Sequence, residues 1–227
     1  GINNWNVKNV YNMSSLFKRT IFNEPLDQWD TSNVLFMDSM FEDNPVFNQY
    51  IGNWNTKNVI NMSSMFHYTQ SFNQPIENWD TSKVENMNNM FNNAKNFNKS
   101  LKWNLKSITL DGTGFYNSLS KMFDYSGLDC ENYKNILKYW SENADTPNNL
   151  NLGGYNINYG NDGKIYRDHL INQKGWNITD DKFNPSICAT ASTFETSLSK
   201  VLIYPNPFND SFKIKSDNRF KDTGIKI

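Results

Sequence analysis

A tryptophan recurs about every 25 residues, at Trp5, Trp29, Trp54, Trp79 and Trp103, and this period constrains the fold more than any other feature of the chain. Behind each of the first four follows a Met-x-x-(Met/Leu)-Phe box at a constant offset: Met13–Phe17, Met37–Phe41, Met62–Phe66 and Met87–Phe91. A fixed repeat of this length predicts a solenoid, in which one unit cannot bury its apolar face alone and stacked units share a continuous core. The Trp-to-Phe stretch keeps its length in all four units. Single-residue losses fall between Phe17 and Phe22 and between Phe97 and Trp103, so the connections absorb the slack.

Within a unit, Leu26, Ile51, Ile76 and Leu101 each precede a Trp, twice after a proline (Pro25, Pro75), and read as the start of a short strand. Met37, Met40 and Phe41 stand at i, i+3 and i+4, the spacing of one face of a helical turn. The expected class is therefore α/β: a leucine-rich-repeat-like solenoid whose coils each carry a short parallel strand and a one-turn helix. Its spine would be Trp5, Trp29, Trp54, Trp79 and Trp103, with Met37, Met62, Met87, Phe41, Phe66 and Phe91. A second aromatic column follows at Phe22, Phe47, Phe72 and Phe97, always as Phe-Asn.

The chain holds 39 asparagines, which either genome composition or hydrogen-bonded amide ladders along a stack would explain. The position after Trp runs Asn6, Asp30, Asn55, Asp80, Asn104, so no two carboxylates would face each other at neighbouring-strand spacing. A second column, Asn12, Asn61 and Asn86, is interrupted by Phe36. With Leu35, that Phe makes either an exposed apolar spot or an inward-packed pair, and inward packing is the expectation.

After Trp103 the period decays, with Met122-Phe123 a faint echo of the box. Asp129 is placed to cap a helix over 130–143, with Tyr133, Ile136, Leu137 and Trp140 on one face. Leu150 and Leu152 suggest a strand, 164–173 a helix closed by Gly175, and Trp176-Asn177-Ile178 a last strand. The expected organisation is a repeat region to about residue 104, a cap to 181, a Ser/Thr-rich linker over 182–200, and the opening of a small β-sandwich domain over 201–227. Since the first residues already lie inside a repeat, further chain is expected before Gly1.

Net charge is −1 and pI about 6.2, which gives no electrostatic grip on nucleic acid or an anionic membrane. No run of ~18 apolar residues exists to cross a bilayer. Cys130 and Cys188 match no metal spacing and read as two independent thiols, with a disulfide as the alternative. Of the two histidines, His67 is expected to face solvent and His169 to lie on the cap helix. Glu24, Glu77 and Glu85 could form an acid/base pair, but their repeat slots read as charged surface. No catalytic constellation, metal site or cofactor is expected.

The unit Trp-Asp-Thr-Ser-x-Val-x-x-Met-x-x-Met-Phe, followed by Phe-Asn-Gln-Pro-Ile, resembles the repeat of BspA-like leucine-rich-repeat bacterial surface proteins, most fully over 72–91. The likeness extends through a cap with Asn132–Leu137 and Lys174–Ile178. Separately, Tyr204-Pro205-Asn206-Pro207-Phe208 resembles the start of the C-terminal sorting domain of the Bacteroidetes type IX secretion system. These resemblances imply a secreted or outer-surface protein that passes through the periplasm, engages the secretion machinery by its C-terminal segment, and mediates adhesion or protein binding. The binding candidates are the residues between the apolar anchors: Asp27, Gln28, Asn53, Glu77, Asn78 and Lys102. A glycan-binding module is the alternative if the Trp and Phe rows prove exposed; an accessory array of a larger secreted enzyme is another.

Overall fold

The computed structural model describes residues 1–108 and 119–189, together with three short strands nearer the C-terminus. The chain divides into two compact units, Gly1–Cys188 and Ala189–Ile227.

In the first unit, successive repeats lie on one another in parallel. Backbone bridges join Asn12 to Phe36, Phe36 to Asn61, and Asn61 to Asn86. The ladder is made by Leu35, Ile60 and Glu85, whose N–H groups donate to the carbonyls of Tyr11, Leu35 and Ile60. In return Met13, Met37 and Met62 donate to Phe36, Asn61 and Asn86. The parallel pairing thus lies just before the Met box rather than on the Leu/Ile-x-x-Trp piece.

That piece is a turn, not the expected strand. Trp29, Trp54 and Trp79 donate their backbone N–H to Leu26, Ile51 and Ile76 three residues back. The same carbonyls also serve the next coil: Trp54, Trp79 and Trp103 donate Nε1–H to Leu26, Ile51 and Ile76 at 3.0–3.1 Å. One oxygen therefore closes a turn and anchors the neighbouring indole. An apolar pair three residues apart is compatible with either reading, and the indole's need for a buried acceptor favours the turn.

The Met box is also not a helical turn. Met40, Glu42 and Asn44 donate within the segment to Met37, Ser39 and Phe41, whereas Ser39, Phe41 and Asp43 donate across to Ser63, Met65 and His67. A helix would keep every bond inside the segment; here alternate amides are spent on the neighbouring coil. The geometry is reached by left-handed residues at φ 55–60° in and just after each box, Ser39 and Asp43 here. Met37, Met40 and Phe41 still point inward together and are fully buried.

The side chains form columns. Trp29, Trp54, Trp79 and Trp103 stack with ring centroids 6.0–6.4 Å apart and planes within 5°. Phe41, Phe66 and Phe91 stack at 5.6–5.7 Å, each against a second-column ring, as in Phe66–Phe72 at 3.9 Å. Trp5 departs from the expected spine: it is 62% exposed, against 4% for Trp54.

Asparagine does build a ladder, in the Phe-Asn column. The Oδ1 atoms of Asn23, Asn48, Asn73 and Asn98 accept the backbone N–H of Asn48, Asn73, Asn98 and Asp129 at 2.9–3.0 Å. Gln49 and Gln74 reinforce it, donating Nε2–H to the carbonyls of Asn23 and Asn48. The column after Trp does something else. Asn6, Asp30, Asn55, Asp80 and Asn104 each accept the N–H two residues on, closing their own turns. Phe36 and Leu35 are both half-buried.

The stack continues past residue 104. Phe91 donates to the carbonyl of Met122, and its ring stacks on Phe123 at 5.9 Å, so the faint echo is a fifth box in full register. Upon it sits the cap. Helix α1 (Cys130–Glu142) starts at Asp129, whose side chain accepts the Asn132 N–H as expected. Strand β1 (Asn151–Gly153) pairs in parallel with β3 (Asn177–Thr179), and β2 (Asn158–Tyr159) with β4 (Lys182–Phe183). Helix α2 (Asn161–Lys174) packs on α1 and ends at Gly175 with φ +66°, the left-handed cap that favours glycine. Trp140 and Trp176 carry the indole arrangement onward, donating to the carbonyls of Trp103 and Pro147.

Two further expectations need correction. Residues 182–188, expected as linker, belong to the first unit through β4. Cys130 and Cys188 are not independent thiols: they form a disulfide, Cα–Cα 5.4 Å, tying the first residue of α1 to the end of the unit. A spacing of 58 residues gave no local signal for it.

In the second unit, β5 (Leu202–Tyr204), β6 (Ser211–Lys215) and β7 (Gly224–Lys226) form an antiparallel sheet in the order β5-β6-β7. The turn expected at 205–207 and most of the linker lie outside the described residues. Among the described residues, no helix is long and apolar enough to cross a membrane.

Candidate binding surface

Asp27, Gln28, Asn53, Glu77 and Asn78 occupy equivalent turns of successive coils, beside the buried Leu26, Ile51 and Ile76; Lys102 follows beside Leu101 in the next coil, where the segment is one residue shorter and extended. They form a ridge of turns, not the face of a sheet. The early part is internally bonded. Asn3 and Gln28 donate to the Asp27 carboxylate at 3.0 and 2.6 Å, and Asn53 donates to the Asp27 carbonyl. Those bonds, from Gln28 first and Asn3 second, hold the Asp27 carboxyl below its ordinary value. Glu77 and Asn78 differ. Both are exposed, and among the described residues neither side chain has a hydrogen bond or ion pair, which leaves their polar groups available to a partner.

At the cap the ridge meets α1, and between them lies a groove of about 430 Å³ lined by Ser100, Lys102, Asn135, Lys138, Tyr139 and Glu142. Of the six predicted residues, only Lys102 lines it. Ser100 and Asn135 hold its floor, Ser100 donating to Asn132 at 2.7 Å. Two lysines against one glutamate make the groove mildly cationic. No sequence motif marked it, because it forms only where the start of the fifth coil meets a helix some 30 residues on.

The chemically reactive types are dispersed. His67 is half-buried rather than free in solvent, 3.8 Å from Glu42, which pairs with Lys18 at 2.8 Å. Burial is the main cause holding its imidazole below the usual value, outweighing the attraction of Glu42 and Asp43. Glu42 is held low as well: burial pushes it up, but bonds from Lys18 and Ser39 prevail. His169 is exposed on α2. Glu24, Glu77 and Glu85, the suggested acid/base group, stand on three different columns of the stack. Among the described residues no group of three or more His, Cys, Asp or Glu could hold a metal ion.

Among the described residues, the most deeply buried ion pair lies in the cap. Arg167 clasps Asp181 with Nε and Nη2 at 2.7–3.0 Å, and the Tyr133 hydroxyl donates to the same carboxylate at 3.0 Å. Burial, then the neighbouring Asp181 charge, raises the Tyr133 phenol well above its normal value. The cluster is satisfied on all sides and joins α1, α2 and the end of β3, which is a structural task.

Residues 20–128 match the family model described as "Mycoplasma protein of unknown function, DUF285". The match runs from the second coil through the fifth box. No curated protein and no solved structure matches the chain.

Proposed function

We propose that this chain is a non-catalytic binding scaffold of the bacterial cell exterior, a leucine-rich-repeat-like solenoid of BspA-like character that contacts a protein partner through the turn ridge and the groove beside it. The observation that carries this reading is the division of labour within each coil. From Trp29 onward the indoles of the stack and the Met and Phe of its boxes are buried, while the polar groups beside them are bonded to one another at Asp27, Gln28 and Asn53 and are left unpaired at Glu77, Asn78 and Lys102. A partner would thus meet a rigid surface whose ordering cost is already met by the core. The Cys130–Cys188 disulfide supports an oxidising compartment. The antiparallel β5–β6 pair is compatible with a sorting domain that begins after residue 200.

The test is a binding screen of the full chain against immobilised matrix proteins (collagen, fibronectin, laminin) with the triple variant Glu77→Ala, Asn78→Ala, Lys102→Ala as control. The proposal expects at least one partner, with binding at least tenfold weaker in the variant. Binding to none of them, or equal binding by the variant, would overturn it.

A further inference from the structure

The buried Trp and Phe columns leave no aromatic row of those residues for a sugar to stack on, but a different aromatic row stands on another edge of the same coils. Tyr68, Tyr125 and Tyr155 are 42%, 44% and 41% exposed. Tyr68 and Tyr125 stand two residues past the Phe that ends the third and fifth boxes. The same slot after the other boxes holds Arg19, Asp43 and Asn93. Tyr155 joins them from the cap: the Tyr125 N–H donates to its carbonyl, and the two rings lie 4.7 Å apart at 39°. Tyr68 sits two coil steps from Tyr125, on the order of 10 Å at ordinary strand spacing.

This slot is a costly place for tyrosine. All five residues in this slot have left-handed backbone, φ 55–59°, a conformation that asparagine and aspartate tolerate and bulky side chains resist. Asn93 and Asp43 meet the demand. Tyr68 and Tyr125 do not, and each keeps more than 40% of its surface exposed instead of entering the core. A large residue kept in strained backbone on an open surface points to a task other than folding.

The surroundings indicate what the rings would meet. The Tyr68 ring is fixed edge-on by His67 at 4.6 Å, and Lys182 Nζ lies 5.9 Å from the Tyr155 ring. Asp124 accepts the Tyr155 N–H at 3.0 Å, with Lys121 and Asp180 close enough to act on its charge. Two cations balance two carboxylates, which disfavours a strongly charged ligand. Flat apolar faces interleaved with hydrogen-bonding groups suit a ligand that is itself apolar on its ring faces and polar around its rim. Tyrosine supplies such contact area at small entropic cost.

We infer that Tyr68, Tyr125 and Tyr155 form a stacking strip for a neutral polysaccharide, with Asn93, Asp124 and Lys182 bonding its hydroxyls. The strip lies on a different turn from the Asp27–Lys102 ridge, so it stands or falls separately from the protein-binding proposal.

The test is native affinity electrophoresis of the full chain in gels containing laminarin, galactomannan or xyloglucan, with heparin as the charged comparison. Retardation by at least one neutral polysaccharide is expected. The double variant Tyr68→Asn/Tyr125→Asn should lose it, with apparent affinity at least tenfold lower. Its melting temperature should be unchanged or higher, because asparagine suits the left-handed slot. Should that variant melt lower, Tyr155→Ser, which lies outside the left-handed positions, is expected to weaken retardation at an unchanged melting temperature. Retardation by heparin alone, by none of the gels, or equally in wild type and the folded variants would overturn the inference.

Discussion

Replacing Asn73 by alanine tests the asparagine ladder where it is internal to the stack. Asn73 Oδ1 accepts the Asn98 N–H at 3.0 Å, while the Asn73 N–H is itself bonded to Asn48. The substitution removes one acceptor and leaves a half-buried amide without its partner. Losing a bond in this way costs about 1–2 kcal/mol, the lower end applying if water reaches the amide. For a chain of this size that corresponds to a fall in melting temperature of roughly 2–8 °C. Asn73→Asp keeps an acceptor in place and should cost less than half as much. Asn78→Ala, five residues away on the ridge, removes no bond and should stay within about 0.5 kcal/mol. Thermal and urea unfolding followed by tryptophan fluorescence would read all three. If Asn73→Ala were no worse than Asn78→Ala, the ladder would not contribute to stability and the reasoning would fail.

Reduction of Cys130–Cys188 releases a constraint spanning 58 residues, worth about 4 kcal/mol by the chain-entropy model. Melting with and without reductant should therefore differ by roughly 8–16 °C, and a shift under 2 °C would contradict a disulfide that stabilises the fold. Trp54→Ala should cost about 3–5 kcal/mol through loss of a buried indole, whereas Trp5→Ala, removing an exposed one, should be close to neutral; equal costs would argue against the stacked arrangement. The folded state holds His67 below its ordinary value of 6.5, so protons bind the unfolded chain preferentially. Its contribution to stability is present above that pH and is lost as the pH falls through the folded value, Glu42 adding the same sign in the carboxylate range below 4.5. His67→Gln should flatten the decline just below pH 6.5, and an unchanged slope in urea titrations would refute the assignment.

The periodic part of this structure was legible because its columns are written directly in the sequence. Fixed Trp-to-Phe spacing places Trp29, Trp54 and Trp79 above one another whatever the backbone does between them. The backbone itself was not legible. Leu26 and Trp29 at i, i+3, and Met37, Met40 and Phe41 at i, i+3, i+4, fit a strand start and a helical turn, yet the chain uses turns in both places because alternate amides bond to the next coil. Side-chain periodicity does not encode that partition. The Phe-Asn pair was visible in every unit, but reading Asn23, Asn48 and Asn73 as acceptors for the following coil requires knowing the register. Trp140 announced a helix through Tyr133, Ile136 and Leu137, and its indole's place beyond Trp103 depends on how α1 lies across the fifth coil. The groove at Lys102 and the tyrosine strip arise from residues 30 or more positions apart, beyond the reach of a local pattern.

The central claim is that a buried, hydrogen-bonded indole spine holds the surface in place, and the seven tryptophans report on it individually. Six of them, Trp29, Trp54, Trp79, Trp103, Trp140 and Trp176, donate Nε1–H to a backbone carbonyl at 2.8–3.1 Å. Trp5 is exposed. Hydrogen exchange of the indole N–H signals, followed by NMR on the full chain, should show six slowly exchanging resonances and one fast, assigned to Trp5. Fast exchange at Trp54 or Trp79, at the rate of Trp5, would contradict the account.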